Sequence, residues 1–224
     1  AAAGLDAAAV RSLAARLPAG QPMYAGISSN AMQVFYGERI TLDDTVVNMT
    51  SSPEQKKAWE EAMAKARTLL EMIEGGAVMG MSITDGKPDV TACMRVKDAA
   101  AFRKSFAEAM GLVEKTGLAT LKLEDAGDTM TLTSTPNPQR MREMMEAFDM
   151  GEVPAEVAEA REKALAQATQ PMTAVLAFRG NDVTITQRVG AGDKAAVAKA
   201  GMPDIRESIA AGAWGSADWF ATLE

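Results

Sequence analysis

Apolar and polar residues alternate along several stretches of this chain, and the alternating stretches come in pairs joined by short turns. A period of two turns one face of a strand to a core and the other away from it. The clearest pair runs from Ala77 to Val96. Ala77, Met79, Met81 and Ile83 share one face, and Asp85-Gly86-Lys87-Pro88 forms the turn. Val90, Ala92, Met94 and Val96 share a face on the return, which leaves Thr91, Cys93 and Arg95 on the other. Asp-Gly favours a tight hairpin because glycine accepts positive φ without steric cost. A second pair spans Leu118 to Thr135, with Leu121 and Leu123 opposite Met130 and Leu132 and a turn at Asp125-Ala126-Gly127-Asp128. A third spans Met172 to Val189 and turns at Gly180-Asn181-Asp182. A fourth uses Met23 to Ser28 and Met32 to Tyr36, and a further strand is expected at Thr45 to Thr50.

Helical periodicity fills the intervals. Ser52-Pro53-Glu54-Gln55 reads as an N-cap, a proline in the first turn and a capping-box glutamine. Trp59, Met63, Ala66, Leu70 and Ile73 then recur at spacings of three and four, and Gly75-Gly76 is expected to stop the helix. Asp98 caps a helix bearing Phe102, Phe106, Met110 and Val113. Asn137-Pro138 opens another, with Met141, Met144, Met145 and Phe148 inward. Pro154 to Ala168 reads as helix, short helices follow Asp193 and Pro203, and Asp6 caps one running through Val10, Leu13 and Leu17.

These elements predict an α+β fold: repeated β-hairpin–helix units forming an antiparallel sheet, covered mainly on one face by amphipathic helices. The chain is expected to be one domain over 1–224, ending in an aromatic tail at 213–224. Two echoes suggest an internal duplication with units near 20–75, 76–150 and 151–212. Ile40-Thr41-Leu42-Asp43-Asp44, followed by Ser51-Ser52-Pro53, resembles Leu121-Lys122-Leu123-Glu124-Asp125, followed by Ser134-Thr135-Pro136. Gln21-Pro22-Met23 echoes Gln170-Pro171-Met172. Thr91, Thr129, Thr131, Thr133, Thr184 and Thr186 are expected to lie on a solvated sheet face.

Composition narrows the chemistry. There is no histidine, and the only cysteine is Cys93. Ser-His-Asp and Cys-His nucleophile systems and imidazole-ligated zinc sites are therefore excluded from this chain alone. A net charge of −7, with 23 basic residues scattered among 30 acidic ones, argues against nucleic-acid binding. No apolar run approaches the roughly 18 residues of a transmembrane helix. One cysteine forms no internal disulfide, so redox compartment is not fixed by it. The first residues, Ala1-Ala2-Ala3-Gly4-Leu5, suit cleavage of a signal peptide. The expectation is export to a bacterial periplasm or cell envelope, with a cytoplasmic location as the alternative.

Candidate sites are few. Gly190-Ala191-Gly192-Asp193-Lys194-Ala195 resembles a dinucleotide-binding turn, but it follows a hairpin strand and carries an acid where phosphate would lie. A glycine turn with Asp193 as N-cap is the better reading. Methionine, at 16 residues, is the compositional outlier. Met79, Met81, Met141, Met144 and Met145 are candidates for lining an apolar ligand site. Their spacing also suits Cu(I), yet each sits where a core methionine would, and no metal site is expected. Carboxylates at Asp43-Asp44, at Asp85 with Asp89, and at Glu124-Asp125 with Asp128 read as turn residues. Cys93 reads as an inert thiol. Trp214, Trp219 and Phe220 lie in a tail that is expected to fold back onto the domain, and as the alternative they are candidates for a partner contact. No catalytic residues and no cofactor are assigned. The expected function is a non-catalytic binding or structural protein of the cell envelope, with a protein or an apolar small molecule as partner. The alternatives are a carrier of an apolar small molecule held between sheet and helices, and a histidine-free enzyme using carboxylate, Lys or Tyr groups.

Overall fold

The structure is a computed structural model that describes residues 12–17, 23–28, 51–84, 87–147, 162–163, 165–190 and 219–223. The expected strands at 32–36 and 45–50, the helices after Asp193 and Pro203, and Trp214 lie outside the described residues. Among the described residues, eight strands form one sheet: β1 Met23–Ser28, β2 Ile73–Thr84, β3 Lys87–Val96, β4 Ala119–Asp125, β5 Thr129–Pro136, β6 Met172–Arg179, β7 Asp182–Val189 and β8 Trp219–Leu223. Three helices have defined bounds: α1 Pro53–Glu71, α2 Ala99–Lys115 and α3 Pro138–Ala147. The strand order is β4-β5-β6-β7-β3-β2-β1-β8, and each neighbouring pair is antiparallel. The architecture is α+β with an antiparallel sheet. Three expected hairpins are present as β2–β3, β4–β5 and β6–β7. β1 pairs with β2 and β8, both distant in sequence.

Local signals set the helix starts. Ser52 caps α1, its hydroxyl accepting from the Gln55 amide while the Gln55 side chain accepts from the Ser52 amide. Asp98 caps α2 by accepting from the Ala101 amide at 3.0 Å. The Asn137 side-chain oxygen Oδ1 accepts from the backbone amides of Gln139 and Arg140 at the start of α3.

The end of α1 differs from expectation. The helix stops at Glu71, with Met72 as its cap, and Ile73 already belongs to β2. Lys97 replaces glycine as the terminator: its ammonium donates to the Glu71 carbonyl at 2.7 Å, and its amide donates to the Met72 carbonyl. Gly75 and Gly76 lie inside β2, with φ of 71° and 141°, where the register against β3 shifts between Glu74 and Ala77. They form a β-bulge, a conformation that glycine adopts without a Cβ clash.

One apolar cluster joins strands to helices. Ile73, Ala77, Met94, Val96, Met130, Leu176, Phe178 and Val183 pack with Phe102 of α2, and Leu69, Leu70 and Phe106 lie against them. The register explains why these strand residues meet: Met94 faces Ala77 and Val183, Phe178 faces Val183, and Leu176 faces Met130. Fully burying one such aliphatic side chain contributes roughly 1.5–3 kcal/mol, so this cluster is the main adhesive of the described fold. Arg103 of α2 adds a fixed contact: its guanidinium lies 4.8 Å from the Phe178 ring centroid and reaches Asp125 and the Gly127 carbonyl in the β4–β5 turn.

Candidate functional site

The chemically richest place among the described residues is the seam where β3 and β7 pair, on the side away from the apolar cluster. Alternation puts Asp89, Thr91, Cys93 and Arg95 of β3 on that side. The opposing residues of β7 are Arg188, Thr186, Thr184 and Asp182. Two ion pairs bracket the row. Arg188 donates through Nε to Asp89 Oδ1 at 2.8 Å, and Arg95 donates through Nε to Asp182 Oδ1, also at 2.8 Å. Arg16 adds a second guanidinium to Asp182, with Nη2 2.5 Å from Oδ2.

The electrostatics follow from these contacts. The Arg95 hydrogen bond, helped by the charge of Arg16, holds the Asp182 carboxyl below the usual carboxylate range against the opposing effect of burial. The same hydrogen bond raises Arg95 further. Between the pairs, Cys93 is fully buried, and burial pushes its thiol up despite the hydroxyl of Thr184 at 3.7 Å. A thiol held protonated is a poor nucleophile. This row pairs each buried carboxylate with a guanidinium from the facing strand.

Burial corrects two expectations. The threonine face is not a solvated surface: Thr91 is buried, and Thr129, Thr131, Thr133, Thr184 and Thr186 are half-buried. Val78 lies opposite Cys93, and Val175 opposite Thr186; both are buried on the same side. Leu13, Ala14 and Leu17 are buried too, and Arg16 between them anchors this turn to Asp182. Asp89 and Asp182 are likewise strand residues and not exposed turn carboxylates, each with a side chain only 12% exposed. Their arginine partners, distant in sequence, make that burial affordable.

The methionine candidates divide between two places. Met79 and Met81 of β2 stand opposite Ala92 and Val90 and are half-buried. Met141, Met144 and Met145 belong to α3, which follows β5; β6, β7 and β3 separate β5 from β2 in the sheet. Met141 is half-buried. The start of α3 meets the start of α1, where Arg140 donates to the Ser51 hydroxyl at 2.9 Å. Trp219 and Phe220 lie on β8, in register with Ile27 and Gly26 of β1. Among the described residues, no three His, Cys, Asp or Glu side chains converge as metal ligands, and no helix is long and apolar enough to cross a membrane.

Sequence reasoning missed the seam, although a signal for it exists. Residues 89–96 read Asp-Val-Thr-Ala-Cys-Met-Arg-Val, and residues 182–189 read Asp-Val-Thr-Ile-Thr-Gln-Arg-Val. The shared Asp-Val-Thr and Arg-Val frames mark the two strands that pair. Compared with protein-family models, curated proteins and solved structures, the chain matches none significantly.

Proposed function

We propose that this protein is a non-catalytic binding or structural component of a bacterial cell envelope, and that it engages an extended polypeptide along β8. The observation that carries the reading is the contrast between the two end strands of the sheet. β4 bears Lys122 and Glu124, exposed and paired at 2.8 Å. Charged side chains on an end strand discourage another strand from adding to it. β8 reads Trp-Phe-Ala-Thr-Leu, with no charge and two aromatic residues. Such a strand suits β-augmentation, in which backbone hydrogen bonds supply affinity and alternate side chains supply specificity. Trp219 and Phe220 are then the partner contacts, with Trp214 beside them in sequence.

The closed chemistry of the β3–β7 seam supports the non-catalytic part, because its carboxylates and thiol are occupied by each other's strands. Repeated hairpin–helix units, with helices mainly on one face, complete the proposal as its structural frame. The envelope location rests on the sequence expectation alone, and fractionation of the source cells tests it.

The test of function is a broad hydrolase and oxidoreductase panel together with a strand-addition assay. The expected result is no turnover, and loss of a co-purifying polypeptide on Thr222→Lys. Turnover that disappears on a single carboxylate substitution overturns the proposal.

A further inference from the structure

We infer that β3 and β7 are two copies of one self-complementary pairing strand, so that the two halves of the sheet meet as the subunits of a twofold dimer would. The partner that fits β3 is therefore a second copy of its own pattern, supplied within this chain by β7.

The register carries the argument. Ala92 faces Ile185 at the centre of the ladder. If each residue of 89–96 is matched with its counterpart in 182–189, every other cross-strand pair becomes the image of another. Asp89 with Arg188 maps onto Asp182 with Arg95. Val90 with Gln187 maps onto Val183 with Met94, and Thr91 with Thr186 maps onto Thr184 with Cys93. An isologous interface has this property: residue i meets j, and j meets i.

Three further observations agree. The ion pairs share their shorter contact, arginine Nε to aspartate Oδ1 at 2.8 Å in both, and Arg95 adds a contact from Nη2 to Asp182 Oδ2 at 3.3 Å. The two aspartates are equally exposed at 12%, and the arginines nearly so at 48% and 42%. The hairpin partners repeat the relationship one strand further out, since β2 flanks β3 on one side as β6 flanks β7 on the other. A strand reading Asp to Arg pairs with its antiparallel copy by placing opposite charges at both ends. The same strand shifted or parallel to itself loses that match, so the pattern selects both direction and register.

The inference rests on register and sequence and stands apart from the proposed role of β8. Its test uses the full chain with Arg16→Gln in every variant, because Arg16 also binds Asp182. Reversing one strand, Asp89→Arg with Arg95→Asp, places like charges at both ends and should lower Tm by about 10 °C. Reversing both strands, by adding Asp182→Arg with Arg188→Asp, restores opposite charges and should return Tm to within about 3 °C of the background. Milder pair deletions keep the test decisive if a reversal does not fold. Asp89→Asn with Arg188→Gln and Asp182→Asn with Arg95→Gln should lower Tm equally, within about 2 °C. A four-residue reversal no more stable than the one-strand reversal overturns the inference. So do pair deletions whose effects differ more than about twofold.

Discussion

Cys93 lies directly across the β3–β7 ladder from Thr184, with its Sγ 3.7 Å from the threonine Oγ1 and no exposed surface. Burial raises its pKa, and the molecule keeps its single thiol protonated and shielded. A thiol reagent should therefore modify native protein at least about 100-fold more slowly than urea-unfolded protein. The linkage has a direction. The unfolded chain releases the thiol proton first, so this contribution is present below the ordinary thiol range and is lost as pH rises through the folded value. Equal labelling rates in the two states would contradict the packing around Cys93.

Asp182 titrates in the opposite sense. Its lowered pKa means that the unfolded state takes up the proton first as pH falls. Its contribution is present above the ordinary carboxylate range and is lost as pH falls towards the folded value. Urea melts should show wild type losing more stability between pH 7 and pH 3 than Asp182→Asn does. At neutral pH that variant should be less stable by about 1–3 kcal/mol, since two guanidinium groups lose their shared carboxylate.

The bulge in β2 makes a conformational prediction. Gly75 has φ of 71° and no neighbour within 4 Å of where a Cβ would stand. Gly75→Ala should therefore cost about 1 kcal/mol through backbone strain alone, and Gly75→Asn less, because asparagine tolerates the left-handed region. Chemical denaturation of the three proteins decides the order.

Leu176 is fully buried within the cluster that joins β6 to α2. Leu176→Ala should destabilise by about 2–5 kcal/mol. Ser52→Ala, which removes one half of the α1 capping box, should cost about 1 kcal/mol. A reversal of that order in equilibrium unfolding would place the main adhesive elsewhere.

Signals that act over a few residues were legible. The Gly-Asn turn, alternation in β2 to β7, the Ser52 box and the Asp98 cap all translate into structure because their partners lie close by. Gly75-Gly76 misled because glycine serves a bulge as well as a helix end, and the terminator, Lys97, lies just past the end of β3. The seam was hidden for a related reason. Asp89 and Asp182 resemble turn acids until the fold brings Arg188 and Arg95 across to them. The tie between the turn at 12–17 and the sheet, Arg16 to Asp182, is a tertiary contact with no local signature. Pairing of β1 with β2 and β8 likewise has no local signature.

The most direct test of the proposed role is native mass spectrometry of the protein purified from its own source. The expected spectrum shows the chain with a second polypeptide, a copy of itself or another protein, and Thr222→Lys on β8 returns it to the mass of the single chain. A non-covalent small-molecule mass that persists in that variant would contradict the account and identify a carrier.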